Sequence, residues 1–175
     1  PKIIDGKDQE KIQILSPQKT KELGTINLNK SIQQILHKGK KSLFGNKNFE
    51  FYAGDKIIET SNKNDLDIMN GDIGSVVRKS KDSYIFEFNG IEVEYSFEGI
   101  QSLELAYAIT VHKSQGSEYD AVIIQCSNAH SFMLKRNLIY TAITRGKKKV
   151  IMVGQKKAFL NGLQILVRRD TNFRL

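Results

Sequence analysis

The pattern of apolar and polar positions along the chain changes rhythm twice. Lys11–Ser16 is a short apolar run closed by Pro17, which predicts a buried strand ending at a turn. Beyond the polar Gln18–Gly24 stretch, Leu28, Ile32, Ile35 and Leu36 recur at helical spacing. They predict an amphipathic helix of about three turns that stops near His37–Lys41. A strand followed by a crossover helix is one βα unit of an α/β sheet. From Gly54 to Leu105 the pattern turns β-rich, with short runs at Lys56–Glu59, Ile73–Val77, Tyr84–Phe88, Ile91–Tyr95 and Ile100–Leu105. Turn signals separate them, and Asn89–Gly90 is a strong two-residue hairpin cue. Short strands without a helical pattern predict a small SH3-like barrel, inserted into the domain that surrounds it.

After Ala106 the α/β rhythm returns. Ala106–Ile109 predicts a short strand, Asp120–Gln125 a continuous apolar one, and Lys149–Val153 another buried one. Leu134, Leu138, Thr141 and Ala142 line one helix face, with Gly146 placed to end that helix, and Phe159, Leu163 and Leu166 mark a last helix. Continuous rather than alternating strand runs imply burial on both faces, hence a parallel sheet with helices on each side. The expected architecture is an α/β domain built from residues 1–53 and 106–175, interrupted by a β-barrel over 54–105.

Composition narrows the function classes. The 175 residues carry 27 Lys+Arg against 19 Asp+Glu, a formal net charge of +8. Such a charge suits a polyanionic partner such as nucleic acid, or simply a soluble basic surface. Cys126 stands alone, so no intrachain disulfide can close, which fits a reducing cytoplasm. His37, His112 and His130 are scattered and have no second cysteine beside them, so no metal site is expected. No apolar run reaches the roughly 18 residues of a membrane span. The chain opens on Pro1, and Pro1–Lys11 lacks the apolar segment of a signal peptide, so it reads as cut from something longer.

Two segments concentrate chemistry. In Tyr107–Asp120, YAITVHKSQGSEYD, a strand runs into a turn rich in hydroxyl, imidazole, ammonium and amide groups. Loops at the C-terminal ends of strands are where open α/β sheets bind ligands. Thr110, His112, Lys113 and Ser114 offer donors suited to phosphate oxygens, Gly116 permits close backbone approach, and Glu118 can accept from a ribose hydroxyl. Singly, each also reads as an ordinary strand-end or surface residue. In Asn137–Gly154, NLIYTAITRGKKKVIMVG, Arg145 lies at a helix end. There it either complements the helix dipole or serves as an arginine finger on a transferring phosphoryl group.

Together, AITVHKSQGSEYD and NLIYTAITRGKKKVIMVG resemble motifs V and VI of superfamily 1 helicases, and most of all the RecD family, the exodeoxyribonuclease V alpha subunit and its stand-alone relatives. IQILSPQKTKELGTINLNKSIQ is similar to that branch's motif IV region, and GDKIIETSN with NGDIGSVV to the start of its inserted barrel. The resemblance implies a RecA-like second motor domain, 2A, carrying an SH3-like insertion, 2B. It implies that Arg145 reaches the ATP γ-phosphate, that Gly116 and Glu118 line the nucleotide side, and that Gln115 couples nucleotide state to DNA grip. Thr110, His112, Lys113 and Ser114 would hold the single-strand backbone. Where relatives place a basic residue, often arginine, after the motif IV proline, this chain has Pro17-Gln18-Lys19-Thr20-Lys21, which leaves Lys19 or Lys21 to supply the charge. A lysine lacks the bidentate fork of arginine.

No G-x-x-x-x-G-K-[ST] phosphate loop occurs, and no apolar strand ends in an acidic Walker B pair. The resemblance therefore implies the C-terminal part of an ATP-dependent 5′ to 3′ DNA helicase of DNA repair and recombination, inactive alone. ATP with Mg²⁺ would bind only together with an upstream motor domain of the same polypeptide. Single-stranded DNA and subunits of a nuclease complex are the other expected partners. The competing reading is a free-standing, non-enzymatic basic module that binds nucleic acid, or a barrel that docks proteins.

Overall fold

The structure, a computed structural model, describes residues 11–128 and 132–165. His130 and Leu166 lie outside the described residues. Among the described residues, fourteen α-helices and β-strands follow in order: β1 (Ile12–Ser16), α1 (Thr25–Leu36), β2 (Phe44–Gly45), β3 (Glu50–Phe51), β4 (Lys56–Glu59), β5 (Ile73–Lys79), β6 (Tyr84–Phe88), β7 (Ile91–Tyr95), β8 (Leu103–Leu105), β9 (Ala108–Thr110), β10 (Tyr119–Cys126), α2 (Arg136–Ile143), β11 (Gly146–Gly154) and α3 (Lys156–Gln164).

β11, β10, β1 and β9 form a parallel sheet in that order. The chain moves from β1 outward to β9 in one direction and from β10 to β11 in the other. Right-handed crossovers then put α1 and α2 on opposite faces. The core under α2 and α3 is built from Leu15, Val122, Ile124, Leu134, Ile139, Ala142 and Ala158. This is the expected α/β sheet, with two differences at its last strand. Gly146 opens β11 rather than ending α2, and the Lys149–Val153 run lies on an edge strand. Val150, Met152 and Val153 are therefore exposed instead of buried, because no neighbour covers that edge among the described residues.

β7, β6, β5, β4 and β8 form an antiparallel sheet in that order, the SH3-like unit. Asn89 and Gly90 both have positive φ (52° and 79°), as a type I′ hairpin turn requires, and they join β6 to β7 with Phe88 facing Ile91. The expected strand Ile100–Leu105 is half helical: Gly99–Ser102 is a 3₁₀ turn and only Leu103–Leu105 pairs. Phe51, Ile57, Phe86, Tyr95, Ile100, Leu103 and Leu105 fill the barrel core, and Phe44, before residue 54, packs with them.

α1 forms where the spacing predicts, but its buried stripe is not the apolar one. Thr25, Asn29 and Gln33 face inward, while Ile35 is 76% exposed. The reason is a set of satisfied polar contacts. Asn29 donates through Nδ2 to the Leu105 and Ala108 carbonyls (2.8 and 2.9 Å) and accepts from the Ala108 N–H (2.7 Å). Gln33 donates to the Glu50 carbonyl (2.8 Å) and to the Asp55 carboxylate (2.6 Å). The fully buried Asp55 also accepts from the Tyr107 hydroxyl (2.7 Å) and the Tyr52 N–H (2.7 Å), and pairs with the His37 ring at 2.9 Å. His37 stacks on Tyr52 at 4.8 Å. Asn29, Gln33 and Asp55 are each met by several partners, and only the His37 Nδ1 is left without one, so this stripe ties α1, the barrel and the strand entering the parallel sheet into one joint.

Candidate functional site

All four strands of the parallel sheet point the same way, so the segment from β9 to β10 must carry the chain from one end of the sheet to the other. Val111–Glu118 does this as a tight succession of turns. The Ser114 and Ser117 N–H groups donate to the Thr110 and Ser114 carbonyls, and the Gln115 N–H to the His112 carbonyl. Gly116 sits at φ +87°, a left-handed conformation that a side chain would strain although nothing lies within 4 Å of a Cβ there. Leu15 is level with both Ile109 and Ile124, five residues past Tyr119. Thr110, where β9 ends, lies one residue further on, so about 20 Å of strand separates its level from that of Tyr119, where β10 begins.

At the C-terminal end of β9 and β1, Thr110 is half-buried and its Oγ1 accepts from the Lys113 N–H at 3.2 Å. Glu104 on β8 takes both nearby ammonium groups, Lys19 at 2.6 Å and Lys113 at 3.1 Å. Burial pushes the Glu104 carboxyl up, but hydrogen bonds and charge from Lys19 and Lys113 outweigh it and hold the group below its ordinary value. His112 is exposed beside these groups. It borders a groove of about 370 Å³ with Phe132, Met133, Lys135, Asn137 and Leu138.

At the opposite end, before β10 and β11, Arg145 is half-buried and held by its own neighbours. Nε donates to the Thr141 carbonyl (3.2 Å), Nη1 to the Ser117 carbonyl (3.1 Å) and Nη2 to the Thr144 hydroxyl (3.2 Å). A guanidinium has five N–H donors, so two are left for another acceptor. The Tyr119 N–H donates to the Arg145 carbonyl at 2.8 Å, which locks the end of the crossover onto the helix end. Glu118 is exposed and pairs with Lys147 at 3.3 Å. Burial raises the Tyr119 phenol, while Ser117 and the Arg145 charge draw it down by less.

The sequence-predicted residues thus fall into two groups rather than one. Thr110, His112, Lys113 and Lys19 gather at one end of the sheet, and Gly116, Glu118 and Arg145 at the other, with Gln115 exposed between them. Two of these residues are engaged within the chain itself. Ser114 is completely buried and its hydroxyl donates to the Val111 carbonyl at 2.7 Å, so it braces the turn and presents nothing to a ligand. Lys19 reaches Glu104 at 2.6 Å, and it follows the C-terminal end of β1 while Arg145 precedes the start of β11. Glu104 and Phe132 escaped the sequence reading: the first is one carboxylate in a β-rich run, and the second falls out of helical register before α2.

Residues 105–153 match the UvrD-like helicase C-terminal domain, and residues 28–95 match the ATP-dependent RecD-like DNA helicase SH3 domain. The chain is 33% identical over 148 residues to the ATP-dependent RecD2 DNA helicase of Deinococcus radiodurans, covering 85% of this chain and 21% of that one. It is 30% identical over 160 residues to the RecBCD enzyme subunit RecD of Haemophilus influenzae, covering 91% and 24%. The chain belongs to the RecD-like family of superfamily 1 helicases, as part of the C-terminal region. It spans between a fifth and a quarter of the length of these relatives.

Solved structures share the fold at lower identity. A structure on DNA unwinding at forked double-stranded DNA by two coordinating Pif1 helicases superposes with a TM-score of 0.62 at 17% identity, over 91% of the RecD-like chain and 42% of the Pif1 chain. A Bacteroides Pif1 in complex with ADP-AlF3 and single-stranded DNA gives 0.61 at 17%, over 89% and 42%. Within the RecD-like chain, the two-ended crossover is the segment whose sequence resembles motif V, and the segment ending at Arg145 and Gly146 the one that resembles motif VI.

Proposed function

We propose that this chain is the second motor domain, with its inserted barrel, of an ATP-dependent helicase that moves 5′ to 3′ along single-stranded DNA in the cytoplasm. The observation that carries the reading is the motif V crossover. One eight-residue segment, Val111–Glu118, joins a phosphate-donor end at Thr110 and His112 to a nucleotide end at Glu118 and Arg145. A rigid link of that kind converts a change at one end into a change at the other.

The nucleotide end fits one side of a nucleoside triphosphate. Arg145 retains two N–H donors for the γ-phosphate, Glu118 carries a carboxylate for a ribose hydroxyl, and Gly116 leaves its backbone approachable. Residues to cradle the remaining phosphates and to ligate Mg²⁺ would come from a preceding motor domain of the same polypeptide, so these residues alone would not turn over ATP. Bound there, ATP with Mg²⁺ supplies the phosphoryl-transfer free energy. This chain's contribution is to fix a planar cation where charge develops and to hold the crossover against it. Gln115 sits where it can couple the two ends. Subunits of a nuclease complex are proposed as partners, since the Haemophilus relative is named as a subunit of the RecBCD enzyme.

The test is ATP turnover and oligonucleotide binding by the full-length polypeptide containing these residues. DNA-stimulated turnover, lost on Arg145→Ala, is the expected result. DNA binding with no turnover and no response to nucleotide would instead favour a non-enzymatic basic module. His112→Ala should weaken single-strand binding more than nucleotide binding; unchanged affinity would remove His112 from the DNA end.

A further inference from the structure

Phe132 is 83% exposed, the highest exposure among the large apolar side chains on the described surface. It lies in the segment before α2, and Lys135 Nζ stands 5.1 Å from its ring centroid. With His112, Met133, Asn137 and Leu138 these two line the groove of about 370 Å³, within the size range of small-ligand pockets. No carboxylate is among the lining residues, and the two titratable ones are the basic His112 and Lys135. Removing an exposed ring from solvent is favourable, but nothing within the described chain covers it.

We propose that this groove seats an unstacked base of single-stranded nucleic acid on Phe132, with Lys135 and His112 directed at the flanking backbone. Three features select that occupant. A flat, exposed aromatic surface suits the π-face of any base, so it holds a strand without reading its sequence. The acid-free rim and the chain's net charge of +8 complement a polyanion. His112 belongs both to the groove and to the crossover that offers Thr110, so base seat and backbone donors are continuous. A lysine beside the ring adds a cation that interacts with ring and phosphate alike. This inference rests on the assignment of the Thr110–His112 end to single-stranded DNA.

The experiment uses the full-length polypeptide and labelled oligothymidylates, one intact and a set each carrying a single abasic site, titrated over a range of salt. Phe132→Ala should weaken binding of the intact strand about 5- to 100-fold, as loss of one stacked base does. Its salt slope should match the wild type, because no charge is removed. Phe132→Tyr should bind as the wild type does. At one position, an abasic site should weaken the wild type but leave Phe132→Ala unaffected. The ring supports no core among the described residues, and thermal unfolding matching the wild type checks that the full-length alanine variant folds. Equal abasic penalties in both proteins, or unchanged binding by Phe132→Ala, would overturn the proposal. Unchanged binding with impaired ATP turnover would overturn it in favour of a protein surface covering the groove. A wild type showing no salt-dependent binding at all would overturn the DNA assignment itself, a failure distinct from normal binding that ignores Phe132.

Discussion

Arg145 donates through Nη1 to the backbone carbonyl of Ser117 at 3.1 Å, across 28 residues of sequence. The bond joins a residue just past the end of α2 to the end of the Val111–Glu118 crossover. The cation proposed to act on the γ-phosphate therefore also pins the segment that runs back to Thr110 and His112. Binding a phosphate at Arg145 and holding the crossover are two demands on one guanidinium, and a change in one is felt by the other.

Arg145→Ala in the full-length polypeptide is expected to lower ATP turnover about 10³-fold or more, the scale at which such arginines act. Arg145→Lys should restore little, since a single ammonium cannot reproduce the paired donors to Thr141 and Ser117. Steady-state turnover decides the first point. Amide hydrogen exchange at Ser117–Tyr119 decides the second, because loss of the tie should speed exchange there. Turnover close to wild type in the alanine variant would exclude the finger role.

Asp55 is fully buried and accepts from Gln33, Tyr52 and Tyr107 while pairing with His37. Asp55→Ala leaves those groups without their common acceptor and should destabilise the fold by about 3 kcal/mol or more, measured by urea unfolding. Tyr107→Phe removes one donor and should cost only about 1 kcal/mol. Similar losses for both variants would mean the joint is held by packing and not by the carboxylate.

Glu104 titrates below its ordinary value of 4.5 because Lys19 and Lys113 favour its charged form. A carboxyl whose folded-state value is depressed stabilises the fold above 4.5, and that contribution disappears as pH falls through the lower, folded-state value. Glu104→Gln should therefore be less stable than wild type near neutrality, by about 1 kcal/mol at most given the exposure of Lys19. The two proteins should converge under acid. Unfolding curves across pH check this, and a gap that persists in acid would assign the effect to packing.

Gly116 and Gly154 both have positive φ, but for different reasons. At Gly116 a Cβ meets open space, so Gly116→Ala should cost about 1–2 kcal/mol of backbone strain alone. At Gly154 a Cβ would overlap the Cys126 carbonyl at the end of the β10–β11 pairing, so Gly154→Ala should cost clearly more. Thermal unfolding of the pair tests the order; equal losses would show that strain and not overlap dominates at Gly154.

Local pattern settled a good deal of this protein. The βα rhythm, the run of short strands and the Asn89–Gly90 turn were legible because periodicity and φ preferences act over a few residues. The composition of the two motifs carried the family for the same reason: their chemistry is contiguous in the chain. What neighbours do to a side chain was not legible. α1 turns Asn29 and Gln33 inward rather than Ile35, because Ala108 and Asp55 wait there with unmet hydrogen-bonding needs. The apolar run in β11 is exposed because it falls at a sheet edge. Ser114 is buried, and Lys19 pairs with Glu104. The order and common direction of the strands send one loop to each end of the sheet, and that order is set by contacts between distant segments. The sequence by itself determined which groups the protein possesses; only the tertiary structure decided which of them meet.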